Sequence, residues 1–443
     1  MAMPPWTVEL LYRQISDVAK QAQQSETIDK IKSRASELVQ DLPDSAARGI
    51  ESAGRRLDRL MKSAEQSTKA FRQWSEKFNA VTLPCVNATG TLLDPRCSPP
   101  ISEVVVAAGI EAMQGNRVCD TSLDHRLHRH LHQAMNLADD RDVAVAASMS
   151  AALMAVSTIS LDRPFLVPRS EVFRVDGRPT SDLLGGVFAM TAEIGDSRTF
   201  VAEDLAGNSN AILIRGDSGA AAISRDTVAA DDQPWAAVLR CGTLRGGGDP
   251  ATGGSIEGGD LASVGELLNQ GAEFVVVPGD GLIGGPASGL IVGKKSVLVD
   301  ITGHESWSAW AAGTATIAML CEACERQASA AVDGSAALSM LNTSVENLKA
   351  RCERLATRLS ATDIEQTIQI TDRSAGIIAD GRWQLPSRQI ELRRPDLDAK
   401  AWAEKLAQHH PSVLLDAEDD ALRIDLRWVN PADDGRIAEA ILD

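Results

Sequence analysis

Short apolar segments alternate with helical segments through the middle of this chain. In chain order the apolar segments read VAVAA, FLVPR, FAMTAEIG, AILIRG, AAVLRCG, EFVVVPG and GLIVGKK. Helical patterns such as SMSAALMAVSTIS and LASVGELLNQGA lie between them. Repetition of strand, helix and strand is typical of a mostly parallel sheet that is covered by helices on both faces. The pattern therefore predicts an α/β fold with a large, mostly parallel sheet domain.

The two ends of the chain have different patterns. Residues 1–78 place apolar side chains at helical spacing, as in IDKIKSRASELVQDL, which predicts a helical N-terminal arm. Residues 326–443 combine a helix, SVENLKARCERLATRLS, with strands such as RQIELRR and LRIDLRWV, which predicts a small α+β domain. The large α/β domain then spans residues 79–325. A chain of 443 residues is long enough for several domains.

The charge of the chain is distributed unevenly. The formal net charge is -17, and residues 1–80 carry 13 basic and 11 acidic side chains. The acidic charge therefore lies in the rest of the chain, where it repels phosphate backbones, and we expect no binding of tRNA there. Seven scattered cysteines favour a reducing cytoplasm, and no apolar run has the length of a membrane span or signal sequence. The expected location is the cytoplasm, without membrane contact.

One loop has the form of a catalytic loop but lacks a catalytic side chain. The segment VVVPGDGLIGGPASGLIVGKK runs from a buried strand of valines through a glycine-rich corner into a second apolar strand. In α/β enzymes such a corner presents a functional group at the carboxyl end of a strand. Here the residue at its tip is Gly281. The glycines can still turn the backbone.

Four segments, in this order, carry a resemblance to a known family. They read VNATGTLL, SMSAALMAVSTI, PGDGLIGGPASGLIVGKK and DALRIDLRWVNPADDGRIAEAIL. Over residues 79–443 they resemble the bacterial selenocysteine synthases, the L-seryl-tRNA(Sec) selenium transferases of the fold-type-I pyridoxal phosphate (PLP) superfamily. The resemblance implies a fold-type-I transferase-like large domain, a homo-oligomer (a dimer or larger), and PLP held as an imine on a lysine.

The chain departs from that family where the chemistry is done. The position of the family's Schiff-base lysine is Gly281, which cannot form an imine. The position of the aspartate that pairs with the pyridine nitrogen is Arg240, a permanent cation. A serine of the phosphate site falls on Pro278. The sequence therefore predicts no intact catalytic residue, no covalent PLP, and a binding, structural or regulatory pseudoenzyme with an intact paralogue as a possible partner.

The resemblance implies that five residues of this chain line the cleft that binds PLP in the family. They are Ser148, Ser150, Asp280, Gly284 and Gly285. The two serines open a helix, where they can either bind an anion at its N-terminus or only cap it. Both interpretations stay open.

The alternative function is an active transferase or lyase of the same superfamily. It would use a substitute base or a non-covalent cofactor, and Lys294, Lys295 and His304 are the candidate bases. Selenium transfer to seryl-tRNA is a weaker form of this alternative, because the body of the chain is acidic.

Three further patterns favour structural roles. His125, His128 and His132 share one predicted helix face, but three ligands on one straight helix cannot surround one ion, so no metal site is expected. Cys321 and Cys324 form a CxxC inside a predicted helix, which indicates two part-buried thiols. The glycine-rich segment 242–259 lacks the spacing of a phosphate-binding loop and indicates a long connection.

Overall fold

The computed structural model describes most of the chain after residue 83. The described residues are 84–114, 129, 137–161, 163–186, 190–217, 233–244, 261–328, 335–361, 366–379 and 381–442. All of them lie in one compact unit, Leu83–Asp443. The predicted helical arm, the three histidines of the predicted helix face and most of the glycine-rich segment lie outside the described residues. The division into three parts therefore stays a prediction.

Strands and helices alternate along the described chain. The strands are β1 Cys85–Asn87, β2 Thr91–Leu93, β3 Arg141–Ala146, β4 Phe165–Pro168, β5 Arg174–Val175, β6 Arg178–Pro179, β7 Thr191–Ile194, β8 Ile212–Gly216, β9 Trp235–Val238, β10 Phe274–Pro278, β11 Gly289–Lys294, β12 Thr367–Ile378, β13 Gln384–Arg393, β14 Ser412–Leu414, β15 Asp416–Glu418 and β16 Ala421–Asp425. The α-helices are α1 Glu103–Met113, α2 Met149–Val156, α3 Thr180–Gly185, α4 Val264–Asn269, α5 Lys295–Gly303, α6 Trp307–Trp310, α7 Thr314–Ala328, α8 Ala336–Leu341, α9 Val345–Ser360, α10 Ala399–Ala407 and α11 Asp434–Leu442.

The large sheet has seven strands in the order β3-β11-β10-β9-β8-β4-β7. Only β11 runs antiparallel to its neighbours, and the other pairs are parallel. Successive side chains of β10 point to opposite faces, as the period of a strand requires. Val275 and Val277 pack in one core cluster with Leu320 of α7, and Val276 packs in the other with Leu153 of α2. The predicted mostly parallel sheet, buried on both faces, is confirmed.

A second sheet has five strands in the order β15-β16-β13-β12-β2. The long hairpin β12–β13 forms its centre. The strand β2 comes from the start of the described chain and pairs parallel with β12, while β1 pairs parallel with β14. The segment of β1 and β2 is thus built into the C-terminal part of the unit.

The sheet order determines which loops meet. The parallel strands β3, β10, β9 and β8 all end at one edge of the large sheet, so the residues that follow them lie near each other. Among the described residues no helix is long and apolar enough to cross a membrane.

Candidate functional site

The loop between β10 and β11 lies at this carboxyl edge and is closed by its own backbone. Gly279 N–H donates to Ser288 O at 3.0 Å, and Gly285 N–H donates to Gly279 O at 2.9 Å. Gly281 and Gly284 have φ of 61° and 80°, in the left-handed region that favours glycine. The loop therefore keeps a fixed shape without any side chain at its tip.

Gly281 is buried against an apolar wall. A Cβ placed on Gly281 would lie 3.1 Å from Cδ2 of Leu93, the last residue of β2. The position at which the resemblance implies a lysine therefore carries no amine and lies against a hydrocarbon side chain.

A buried ion pair lies at the ends of the two neighbouring strands. Asp217 follows β8, and its side chain is 1% exposed. Its Oδ2 accepts hydrogen bonds from the backbone N–H groups of Arg240 at 2.8 Å and Cys241 at 3.0 Å. Its Oδ1 lies 3.4 Å from Nε of Arg240, whose guanidinium also lies 5.4 Å from the centre of the Phe173 ring. The cation that stands in the ring-partner position is thus held by a carboxylate from the adjacent strand.

Sequence reasoning missed Asp217. The available signal was its place directly after the apolar segment AILIRG, since the residue after a parallel strand lies at the functional edge of the sheet. Its relation to Arg240 depends on β8 and β9 being neighbours, which the sequence did not establish.

Burial controls the protonation of this site. It raises the pKa of Asp217, against the charge of Arg240 and the two backbone N–H donors. It also raises the pKa of Asp280. The pKa of the Cys241 thiol is raised well above its ordinary value by burial and by the carboxylates of Asp217 and Asp280. Cys241 is therefore a protonated, unreactive thiol.

The two serines after β3 have separate partners. Ser148 Oγ accepts from Ala151 N–H at 3.1 Å, which makes Ser148 the N-cap of α2. Ser150 Oγ donates to the carboxylate of Asp176. A negative charge beside Ser150 opposes an anion there. The capping interpretation has direct geometric support, whereas anion binding stays a prediction.

The candidate substitute lysines lie at the far edge of the large sheet. The register pairs Pro278 with Gly289 at the loop and Phe274 with Gly293 at the other end of the strands. At about 3.3 Å per residue, Lys294 is therefore roughly 17 Å along β11 from the loop. Its Nζ lies 3.5 Å from Oε1 of Glu273.

His304, the third candidate base, lies between α5 and α6. It is the C-cap of α5, and its ring stacks on Trp310 with centroids 6.0 Å apart. Its Nδ1 accepts from Ser306 N–H at 3.2 Å. Trp310 O accepts from Ala147 N–H at 2.7 Å, just after β3, so His304 lies near the carboxyl edge of the large sheet and its role as a substitute base stays a prediction.

The sequence holds no lysine between Lys77 and Lys294. Every connection that follows β3, β4, β7, β8, β9 or β10 lies within that interval. Beyond Lys295 only three lysines remain, and they are exposed on α9 and α10: Lys349, Lys400 and Lys405. The loops of the carboxyl edge therefore supply no amine for an imine.

Of the other predicted constellations, the CxxC pair lies within the described residues. Cys321 and Cys324 are buried in α7, and burial raises the pKa of Cys324. Among the described residues no group of three or more histidine, cysteine or acidic side chains is placed to hold a metal ion.

Comparisons with known proteins agree with the sequence motifs. Residues 261–430 match the family model of the L-seryl-tRNA selenium transferases. The L-seryl-tRNA(Sec) selenium transferase of Moorella thermoacetica is 24% identical over 384 residues, which cover 81% of this chain and 81% of that protein. The enzyme of the same name from Hyphomonas neptunium is 25% identical over 381 residues, covering 80% and 81%. The resemblance is confirmed.

The fold comparison agrees with the predicted architecture. The solved structure of a D-glucosaminate-6-phosphate ammonia-lyase superposes with a TM-score of 0.56 at 14% identity, covering 83% of this chain and 96% of that chain. This likeness shows the fold, and the predicted fold-type-I transferase architecture is confirmed.

Proposed function

We propose that this chain, a relative of the L-seryl-tRNA selenium transferases with a fold-type-I PLP transferase fold, acts as a binding or regulatory homologue without lysine-dependent PLP chemistry. One observation carries the proposal: the loop after β10 is intact, yet its tip is the buried Gly281 against Leu93. An imine to PLP needs a primary amine at the reacting carbon. The absence of lysine from all the carboxyl-edge loops supports the same conclusion.

The remaining cleft residues also fit PLP poorly. An electron-sink pyridine needs a carboxylate at its nitrogen, and that position holds Arg240, which is paired with Asp217. Pro278 has neither a hydroxyl nor an N–H for a phosphate. Because three contacts of the cofactor are missing together, the residues of this site do not fit PLP.

The spectrum of the protein with added PLP tests the proposal. We expect the spectrum of free PLP, removed completely by dialysis, and no pyridoxyl-lysine peptide after borohydride reduction. A Lys294→Arg/Lys295→Arg variant shows whether any labelling depends on the two candidate substitute lysines. A bound-PLP absorption band that survives dialysis and that borohydride fixes on one lysine peptide contradicts the proposal and identifies the substitute lysine.

The alternative is an enzyme with a substitute base or a non-covalent cofactor. The two carboxyl groups with raised pKa at the sheet edge, Asp217 and Asp280, favour it, because such groups concentrate at catalytic sites. The same experiment separates the two functions. PLP that survives dialysis but is not fixed by borohydride supports the alternative.

We also propose a homo-oligomer, with an intact lysine-bearing paralogue as the other candidate partner. The helix α1 packs on α7 through Gly109, while Val106, Ile110 and Met113, which share one helix face, are 39%, 47% and 67% exposed. Exposed apolar side chains on one helix indicate a contact surface. Light scattering is expected to give at least a dimer, and Ile110→Asp is expected to weaken it at least tenfold. Val299→Asp on α5, also an exposed apolar position, is the matched control.

A monomer at all protein concentrations contradicts the homo-oligomer and leaves the paralogue to be tested by co-purification. We expect no binding of tRNA, because the net charge of -17 repels the phosphate backbone.

A further inference from the structure

One side of the strand β12 is open along much of its length. The strand β13 lies beside residues 367–376 of β12, whereas β2 meets the other side of β12 only at Gly376 and Ile378. Among the described residues, no strand lies on that other side of residues 367–374. An open edge of this length is a template on which a further strand can pair.

The backbone groups that face the open side can be identified from one hydrogen bond. Gly376 N–H donates to Gly90 O at 2.7 Å, on the side of β2. Successive residues of a strand turn their N–H and C=O groups to opposite sides of the strand. Ile368, Ile370 and Asp372 share the direction of Gly376, so they present their N–H and C=O groups to the open side.

A groove of about 680 Å³ lies beside this edge, between β12 and the end of α9. Its lining residues are all uncharged: Ile368, Ile370, Ala356, Thr357, Ser360 and Ala361. The two isoleucines are half-buried, so they offer apolar surface to a side chain that enters the groove. Alternate side chains of an added strand point to one face and would fill this groove.

The opposite face of the same edge carries an excess of positive charge. Arg373 Nη2 lies 3.4 Å from Oε1 of Glu391, and Arg393 Nη2 lies 3.2 Å from Oε2 of the same carboxylate. One carboxylate thus serves two guanidiniums, which are 42% and 39% exposed. On the groove side, Asp372 is neutralised by Arg388, whose Nη1 lies 3.1 Å from its Oδ1. A strand beside β12 therefore meets net positive charge only on the face of Arg373.

We propose that the open edge of β12 binds an extended segment of another protein by strand addition. The backbone of the segment pairs with the N–H and C=O groups of Ile368, Ile370 and Asp372. Alternate side chains of the segment are apolar and enter the groove, because its lining is uncharged. The side chains between them are acidic, because they face Arg373.

This surface is separate from the candidate site. Ile377 packs in one core cluster with Leu282 of the loop after β10. At about 3.3 Å per residue, Ile370 lies roughly 23 Å along β12 from Ile377. The inference goes beyond the proposed function, because binding of a segment at β12 neither requires nor excludes binding of PLP.

Titration of a labelled peptide with the full chain tests the surface. The probe is the blocked heptapeptide Thr-Val-Glu-Val-Glu-Val-Thr, and its fluorescence anisotropy is measured. We expect saturable binding. We expect at least tenfold weaker binding when the central valine and the following glutamate are both replaced by proline, because N–H groups are then lost from both sides of the peptide strand.

Two variants locate the bound peptide. Thr357→Trp places a large side chain in the groove from an exposed position of α9, and it is expected to weaken binding at least tenfold. Glu346→Trp, at an exposed position about three turns earlier in α9, is the matched control. Arg373→Glu is expected to reverse the charge preference, so that a peptide with lysines in place of the glutamates binds more tightly than the probe.

Hydrogen exchange of residues 367–374, followed by mass spectrometry, shows what occupies the edge. We expect this segment to gain protection only when the probe is bound. Full protection without the probe overturns the inference: a second copy occupies the edge if the protection rises with protein concentration, and the chain itself covers it if the protection does not. The inference is also overturned by the absence of saturable binding, or by equal affinity for the probe and the proline peptide.

Discussion

Replacing Asp217 by alanine is expected to lower the free energy of unfolding by about 3–5 kcal/mol. The change removes a carboxylate that is 1% exposed, and it leaves Arg240, itself 19% exposed, without this partner. It also leaves the buried backbone N–H of Cys241 without its acceptor. Urea unfolding of the wild type and the variant, monitored by circular dichroism, measures the loss. The unfolding free energy is expected to depend on urea concentration with the same slope in both proteins.

The pKa of Asp217 is raised because the desolvation of its carboxylate outweighs the stabilisation by Arg240 and the two backbone N–H donors. The pair as a whole is therefore a weak source of stability, while the loss of one partner is costly. The double variant Asp217→Leu/Arg240→Met is expected to recover part of the loss, because it strands no buried charge. Asp396→Ala removes the 58% exposed partner of Arg394 and is expected to cost much less stability than Asp217→Ala. Equal losses for Asp217→Ala and Asp396→Ala contradict the buried pair.

The site ion pair illustrates where sequence reasoning stops. The resemblance shows that Arg240 stands at the position of the family's ring-partner aspartate. Its partner Asp217, however, is 23 residues away in the sequence. Their contact requires β8 and β9 to be adjacent, which is a property of the whole sheet. A carboxylate after a strand is visible in the sequence, whereas the neighbour of that strand is not.

The large sheet was predictable for a simpler reason. Strands that are buried on both faces need continuous apolar runs. The run Val275, Val276 and Val277 therefore predicts a central strand without further information. The pairings of β1 with β14 and of β2 with β12 were not predictable, because they join distant segments and because β1 and β2 are only three residues long. The pairing of β2 with β12 is what places Leu93 against Gly281 in the candidate site.

The retained loop has a structural role that does not need catalysis. At Gly279, Gly284 and Gly285 another side chain has no room; at Gly285, for example, a Cβ would lie 2.8 Å from Gly279 O. The loop also supports the C-terminal part, since Ser335, the N-cap of α8, donates to Leu282 O at 3.2 Å. The shape is therefore required by packing even when no lysine is present.

Replacing Gly284 by alanine is expected to lower the free energy of unfolding by about 2–4 kcal/mol. Two costs add: a left-handed φ of 80°, and a Cβ that would lie 2.4 Å from Cβ of Ser335. Because Ser335 caps α8 and is 3% exposed, it cannot move away without losing its own hydrogen bonds. Urea unfolding of the variant beside the wild type measures the sum.

Gly177→Ala separates the two costs. Gly177 has a φ of 79°, but a Cβ there meets no atom within 4 Å. Its replacement therefore carries only the backbone cost of about 1 kcal/mol. The difference between the two variants, about 1–3 kcal/mol, is the price of crowding Ser335. If both variants lose the same stability, the loop is not packed against α8 and its glycines serve the backbone alone. A larger loss of stability in Gly284→Ala, in a protein that does not bind PLP, supports a structural role for the loop. The loop then joins the large sheet to the C-terminal part.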